Sequence, residues 1–402
     1  MLDSVAIPYG AYWSSPFTRW QGSLAHLHSL TFAAHAAKGA LARRHIDPAL
    51  FDFGVLGLSV PQQSSFYGVP WLMARLGAPQ VTGPSVAQAC ATGVRLLHTA
   101  AAEIGSGMAQ VALAVAADRT SNGPHVYYPA PDAPGGTGAH ENWVLDNFAR
   151  DPHAGVAMVQ TAENVAALHG IGLPRQHEVV LRRYQQYAEA LVDDSAFLRR
   201  FMDLPFEVPD AAYRKLRGVL HGDEGIHATS AESLARLQPV LPGGTVTFGS
   251  QTHPADGHAA MVLTTPQQAR EWSRDPRIGI RLRGFGQSRV QLAHMPLAPL
   301  PAAQAALKRA GVTAGQLKAV KTHNPFIVND IVLADGLGLD VMAMNRFGCS
   351  LVWGHPQAPT GLRAVIELIE ELVMLGGGLG LFTGCAAGDS AMAVVVEVGD
   401  AA

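Results

Sequence analysis

The feature that most constrains this chain is a long-range repeat. Thr92-Gly93-Val94-Arg95, where a helical pattern begins, matches Thr360-Gly361-Leu362-Arg363 at an offset of 268 residues. At the same offset the apolar run Val111–Ala117 falls on Leu379–Cys385. A helix and the strand after it thus recur in the same order, which implies two similar α/β halves. The rest of the chain reads the same way. Runs rich in β-branched residues predict strands over Phe53–Val60, Val111–Ala117, Val246–Phe248, Ile278–Phe285, Ala319–Thr322 and Ala391–Val398. Helical periodicity covers Ser29–Arg44, Thr92–Gly105, Thr161–Gly170, Glu178–Leu191, Pro301–Ala310, Ile327–Gly336 and Gly361–Gly376. In Glu178–Leu191 the residues Val180, Tyr184, Tyr187 and Leu191 form a packing stripe, with Arg182, Arg183 and Gln186 expected elsewhere on the surface. Residues 119–245 differ in texture, rich in Pro, Gly and Asp at first and more charged later, and read as an insertion on the first half.

Composition excludes several classes. Of 402 residues 48% are hydrophobic and 15% charged, enough apolar surface for a large core and too little charge for a disordered chain. The net charge of −3, with no basic block, leaves no electrostatic footprint for nucleic acid. Uncharged stretches as long as residues 53–74 are broken by Gly, Pro and polar residues, and no continuous apolar run reaches the roughly 18 residues a membrane-spanning helix needs, so the expected location is cytoplasmic, without a membrane partner. The three cysteines, Cys90, Cys349 and Cys385, suit neither a disulfide framework nor a metal or redox pair. No metal site is expected, and a cysteine that matters here matters as a thiol.

Four segments carry candidate chemistry. Ser85-Val86-Ala87-Gln88-Ala89-Cys90-Ala91-Thr92-Gly93 runs extended into a helix start, where free N–H groups and the positive end of the dipole favour a thiolate. In Gly354-His355-Pro356 a histidine sits on a turn before another helix start, suited to act as a base. Lys321-Thr322-His323-Asn324-Pro325-Phe326 ends a predicted strand with His and Asn side by side. Thr383-Gly384-Cys385-Ala386-Ala387-Gly388-Asp389 puts a second thiol in a tight turn whose backbone N–H groups can meet an anion.

Together these segments resemble the thiolase family, along nearly the whole chain. Gln88-Ala89-Cys90-Ala91-Thr92-Gly93 is similar to its nucleophile motif, Gly354-His355-Pro356 with Thr360-Gly361 to its GHPxGxTG motif, and Gly384-Cys385 to its C-terminal cysteine. Ser15-Pro16-Phe17, Gly22-Ser23-Leu24, Thr161-Ala162-Glu163-Asn164, Gly244-Thr245-Val246-Thr247 and Asp256-Gly257 resemble further signatures. The resemblance implies two βαβαβαββ halves in five αβαβα layers: residues 1–118 with 245–270, and 271–402, with a loop domain over 119–244 contacting CoA and the acyl chain. It implies acyl transfer between thiols, with no permanently bound cofactor and with coenzyme A and acyl-CoA as substrates. Cys90 would carry the acyl group, His355 would take its proton, and Cys385 would shuttle a proton at the α-carbon. The N–H groups of Cys90 and Ala387 would form one oxyanion hole, and His355 with His323, the latter directly or through water, the other. A homodimer or homotetramer is implied, with a small accessory subunit for some relatives.

Several positions depart from the family pattern. His323-Asn324-Pro325-Phe326 replaces Asn-Glu-Ala-Phe, as in the subfamilies with histidine there. Ala157-Met158 replaces a His-Met pair, His227 stands where an Arg near the CoA nucleotide is common, and Ser250-Gln251-Thr252-His253 replaces Asn-Ala-Ser-Gly. Met158, His227, Ser250, Thr252 and Phe326 are the expected substrate contacts. Loss of the histidine at 157, with Tyr127, Tyr128, Trp143 and Phe148 nearby in sequence, favours a bulky, aromatic or branched acyl group. Cys349 is expected to pack. The alternatives are a condensing enzyme without thiolysis and a non-catalytic thiolase-like subunit.

Overall fold

The computed structural model describes residues 2–121 and 123–401. Its strands, in chain order, are β1 (Tyr12–Ser14), β2 (Thr18–Arg19), β3 (Phe53–Gly57), β4 (Ser85–Val86), β5 (Val111–Arg119), β6 (His125–Tyr128), β7 (Ala139–Asn142), β8 (Phe206–Pro209), β9 (Leu216–Leu220), β10 (Ala255–Thr264), β11 (Ile278–Arg289), β12 (Leu317–His323), β13 (Gly378–Ala386) and β14 (Ser390–Asp400). One sheet runs β1-β10-β5-β3-β4, with β2 also on β10, and the other runs β11-β14-β13-β12. In the first, β3 runs parallel to both β4 and β5, and in the second β12 runs parallel to β13; antiparallel neighbours continue each. The repeat is therefore structural: β5 corresponds to β13, and the helix Thr92–Ser106 to the helix Ala358–Met374.

The second half is one strand short of the expected βαβαβαββ order. A shift of 268 carries β4 to residues 353–354, which close the helical turn Ser350–Trp353. Pro356 offers no N–H for a ladder there, and His355 makes only an isolated bridge to Pro254.

Alternating side chains stack the two sheets with helices into five layers. Ala112, Ala114 and Ala116 of β5 and Met392, Val394 and Val396 of β14 face the two central helices, in one core with Val94, Leu97, Leu362 and Ile366. On its other face the first sheet presents Leu113 and Val115 to the helices Ser29–Arg43 and Gly68–Leu76. The second presents Leu381 and Val395 to Pro299–Ala310 and Ile327–Leu337. Strands covered on both faces carry continuous apolar runs. The central helices touch at Gly93, where a Cβ would lie 2.4 Å from the backbone nitrogen of Leu362.

Residues 120–254 leave the first sheet after β5 and return to it at β10. They hold the hairpins β6–β7 and β8–β9 and the helices Met158–His169 and Leu173–Ala190. The second helix corrects the expected stripe. Leu191 is 43% exposed, whereas Arg183 and Gln186 are fully buried. Arg183 pairs with Asp330 at 2.9 Å, and the Gln186 amide donates to the carbonyls of Met342 and Met344. Val246–Phe248 is not a strand either: the N–H groups of Thr245 and Val246 bind the Glu163 carboxylate, and a 3-10 turn follows at Phe248–Ser250.

A buried ion network joins this segment to the second half. Arg363 makes a two-pronged bond to Asp223 at 2.6 and 2.7 Å and lies against the rings of Phe17 and Trp353, which meet edge to face. The Tyr187 hydroxyl donates to the same carboxylate at 2.9 Å, and Arg363 Nε reaches Glu367 at 3.0 Å. Asp223→Ala leaves a buried guanidinium short of charge, and we expect it to lower unfolding free energy by about 3–5 kcal/mol in guanidinium titrations. Asp275→Ala, which removes the surface pair with Arg277, should leave the midpoint unchanged.

Candidate active site

Cys90 lies on a strained turn between β4 and the helix Thr92–Ser106. Ala89 has a φ of +42°, and the turn is locked by Thr92, whose hydroxyl donates to Ala89 O at 2.6 Å and accepts the Gln88 N–H at 2.8 Å. The thiol is half-buried and faces the backbone N–H of Ala387 and its own N–H. His355 comes from the second half. Its Nε2 is 3.1 Å from Cys90 Sγ, and its Nδ1 is 2.7 Å from the Thr360 hydroxyl. Gly354 before it has a φ of +94°, and a Cβ there would sit 2.8 Å from the Ala255 side chain.

Behind this pair, at the end of β12, the His323 ring stacks on His355 at 4.0 Å between centroids. Its Nδ1 is 2.8 Å from the Ser350 hydroxyl, and its Nε2 has no protein partner. Cys385, near the end of β13, is buried and accepts the Asn329 amide at 3.3 Å. Ligand atoms of Cys90, His323 and His355 lie within 4.8 Å of one another, the one such group among the described residues. A tetrahedral zinc would hold sulfur and nitrogen about 3.5 Å apart, so the 3.1 Å contact is that of a hydrogen bond, suited to proton transfer.

Burial dominates the electrostatics. It pushes the Cys90 thiol up to about 12 against the pull of the two N–H groups, and drives His355 down to about 3. It also lowers His323 and raises Cys385, where charge on Cys90 adds to the effect. The resting pair is therefore a thiol and a neutral imidazole. Asp118, at the end of β5, is raised by burial to about 7 although N–H groups of Ser59, Val60 and Ala358 point at it.

A cavity of about 850 Å³ opens on Cys90, His355 and Ala387. Trp143, Phe148, Met158, Phe248, Met295 and Phe326 give it an apolar wall that includes Ala157 and no Lys or Arg among the described residues. Of the expected contacts, Met158, Thr252 and Phe326 line it, with the Thr252 hydroxyl already donating to Ser350 O at 2.5 Å. Ser250 does not: its buried hydroxyl binds the backbone of Thr247. His227 is exposed and outside the wall. Of the four aromatics noted in the sequence, Tyr128, Trp143 and Phe148 line the cavity, and Tyr127 turns away to accept the Gly138 N–H. The packing expected of Cys349 holds, since it is 1% exposed. Asp118, Asn329 and Ser350 are neighbours that motif reading passed over. Asp118 alone left a trace, as the acid ending an apolar strand run.

Residues 12–267 match the family model of the thiolase N-terminal domain, and residues 277–398 that of the thiolase C-terminal domain. The chain is 29% identical to an acetyl-CoA acetyltransferase of Escherichia coli over 94% of this chain and 95% of that one. It is 27% identical to the human mitochondrial 3-ketoacyl-CoA thiolase, over 95% of this chain and 96% of the relative. Among solved structures, human mitochondrial 3-ketoacyl-CoA thiolase superposes with a TM-score of 0.89 at 25% identity, covering 98% of this chain and 99% of that one.

Because the resting thiol is neutral, alkylation of Cys90 by iodoacetamide should quicken continuously from pH 6 to pH 10 as the thiolate fraction grows. A plateau beginning below pH 8, followed by mass spectrometry of the Cys90 peptide, would reveal a standing thiolate–imidazolium pair instead.

Proposed function

The chain belongs to the thiolase family, and we propose that it is an acyl-CoA C-acyltransferase that cleaves a 3-oxoacyl-CoA with CoA, or runs the reverse Claisen condensation, through an acyl-enzyme on Cys90. The observation that carries this reading is the 3.1 Å contact of His355 Nε2 with the Cys90 thiol, with a second thiol, Cys385, buried close by.

His355 takes the Cys90 proton as the sulfur attacks the 3-oxo carbon, and the N–H groups of Cys90 and Ala387 receive the tetrahedral oxyanion. Breaking the C2–C3 bond leaves the acyl group on Cys90 and releases acetyl-CoA as its enolate. The enolate oxygen is held by the protonated His355 and by His323, directly or through water, while Cys385 gives its proton to the α-carbon. In the second half-reaction the Cys385 thiolate takes the CoA proton, CoA attacks the thioester, and His355 returns its proton to Cys90.

The apolar wall suits an acyl group and the pantetheine arm, and its lack of Lys and Arg leaves the phosphates outside it. Thr252 is the residue we assign to the arm, as an acceptor, and the exposed His227 to the nucleotide end. Ala157, Trp143 and Phe148 in the wall support a bulky aromatic or branched acyl group. The active unit we propose is a homodimer or homotetramer, with a small accessory subunit as a further partner. Two histidines beside one cysteine also favour a second reading, a condensing enzyme that does not perform thiolysis; the Cys385 thiol supports the first.

Incubation with a panel of 3-oxoacyl-CoAs should add an acyl mass to Cys90 that Cys90→Ser abolishes. Cys385→Ser should slow α-carbon proton exchange by about 100-fold or more while Cys90 is still acylated. Equal loss of both would contradict the division of roles. Aromatic or branched substrates should give a higher kcat/KM than acetoacetyl-CoA, and Ala157→His should reverse that order. A steady fall in kcat/KM with acyl size in the unaltered enzyme would sink the bulky-substrate reading.

A further inference from the structure

The acid–base groups rest on a buried polar chain that starts well away from the cavity. Asp330 is fully buried and accepts four donors: the Thr322 hydroxyl at 2.6 Å, Asn324 Nδ2 at 2.8 Å, Asn345 Nδ2 at 3.0 Å and Arg183 Nε at 2.9 Å. The carboxylate decides which way the Asn324 amide faces, because a flipped amide would set its oxygen against Asp330 Oδ2. Asn324 Nδ2 also reaches Cys349 Sγ at 3.1 Å, which a flip would lose. Asn324 Oδ1 is thereby turned toward the Leu351 N–H at 3.1 Å and the Ser350 hydroxyl at 3.0 Å.

Ser350 has a single proton and three close partners. The Asn324 N–H donates to its oxygen at 3.1 Å, which leaves Asn324 Oδ1 and His323 Nδ1 as the two claimants for that proton. If it goes to Asn324 Oδ1, every contact pairs a donor with an acceptor, and His323 Nδ1 must carry the hydrogen it gives to Ser350. If it goes to His323, two oxygen acceptors face each other at 3.0 Å in a site where Ser350, Asn324 and His323 are all fully buried. Such a contact forfeits a hydrogen bond and adds lone-pair repulsion where water cannot compensate. The donor count selects the first arrangement, and the neutral His323 then presents a bare lone pair at Nε2, the nitrogen without a protein partner.

Building on the acyl-transfer reading, we infer that Asp330, Asn324 and Ser350 form a positioning relay that holds His323 in its Nδ1–H tautomer, so that His323 serves the enolate through a water and not by direct donation. Such a water has to enter beside a nitrogen that is buried in the resting structure, and it then donates one hydrogen to His323 Nε2 and the other to the enolate oxygen. The direct donor to that oxygen is then His355, whose Nε2 receives a proton from Cys90 in the preceding step. Ser350, Asn324 and Asp330 touch no reacting atom and act only through His323.

Nitrogen-15 NMR of the full-length protein labelled at histidine, with the His323 signals identified by their loss in His323→Gln, reads the tautomer without substrate. We expect a protonated Nδ1 and an unprotonated Nε2 in the unaltered protein. Ser350→Ala should mix or invert the two signals and lower kcat for thiolysis about tenfold, the worth of one hydrogen bond, with the rate of Cys90 alkylation unchanged. A proton on Nε2 in the unaltered protein, or an unchanged tautomer in a folded Ser350→Ala variant, would overturn the relay. Acylation of Cys90, measured separately by mass, tests the functional reading, so the two can fail independently.

Discussion

The contact on which the site depends is the approach of the two central helices at Gly93. The space a side chain would take there is filled by the backbone of Leu362. Each helix begins just after a candidate reacting residue, Cys90 before one and His355 before the other. Bringing the helices together therefore brings a thiol and an imidazole 265 positions apart in sequence to 3.1 Å. The duplicated fold supplies two helix starts on a common space, and their positive ends favour negative charge there. Asp118 ties the same joint, accepting N–H groups from Ser59 and Val60 in one half and from Ala358 in the other.

Much of this was legible because it is local. The Gly-Val-Arg and Gly-Leu-Arg repeat located both central helices, and the small residues around Cys90 and His355 marked turns where backbone must come close. The strand Ala255–Thr264 was missed because its sequence, Ala-Asp-Gly-His-Ala-Ala-Met-Val-Leu-Thr, lacks a run of β-branched residues. It is nevertheless paired on both sides and buried along its whole length. Propensity reads the side chain, whereas this strand is held by its ladders and by the helices over it.

Charged residues were misread for a related reason. Periodicity sends Arg183 to the surface because an unpaired guanidinium cannot be buried. Its partner Asp330 lies 147 positions away and is invisible to any local pattern. The same holds for Arg363 with Asp223, whereas Ser250 fails locally, its hydroxyl consumed by its own turn with Thr247. Motif likeness assigns a residue type to a place; only the hydrogen-bond count around it shows whether its polar atoms remain free. Thr252 and His323 illustrate the two outcomes, one hydroxyl spent on a carbonyl and one ring nitrogen left open.

Burial of the reacting groups raises a problem that the polar network answers. Burial opposes every ionised intermediate, holding the Cys90 proton on and keeping the histidines neutral. Charge can then appear only where fixed dipoles already point: at the N–H groups of Cys90 and Ala387, and at the histidines once a proton has moved. Such dipoles help only if they do not turn to follow the charge, and that rigidity must come from groups whose own bonds are complete. Asp330 meets this requirement. It is saturated by Thr322, Asn324, Asn345 and Arg183, so that it orients Asn324 and, through Ser350, His323 without exposing a free charge to the reaction. The costly burial of Arg183 with Asp330 is thus better explained by the orientation it imposes than by any net stability it adds, since a buried pair often does little better than an apolar one of the same size.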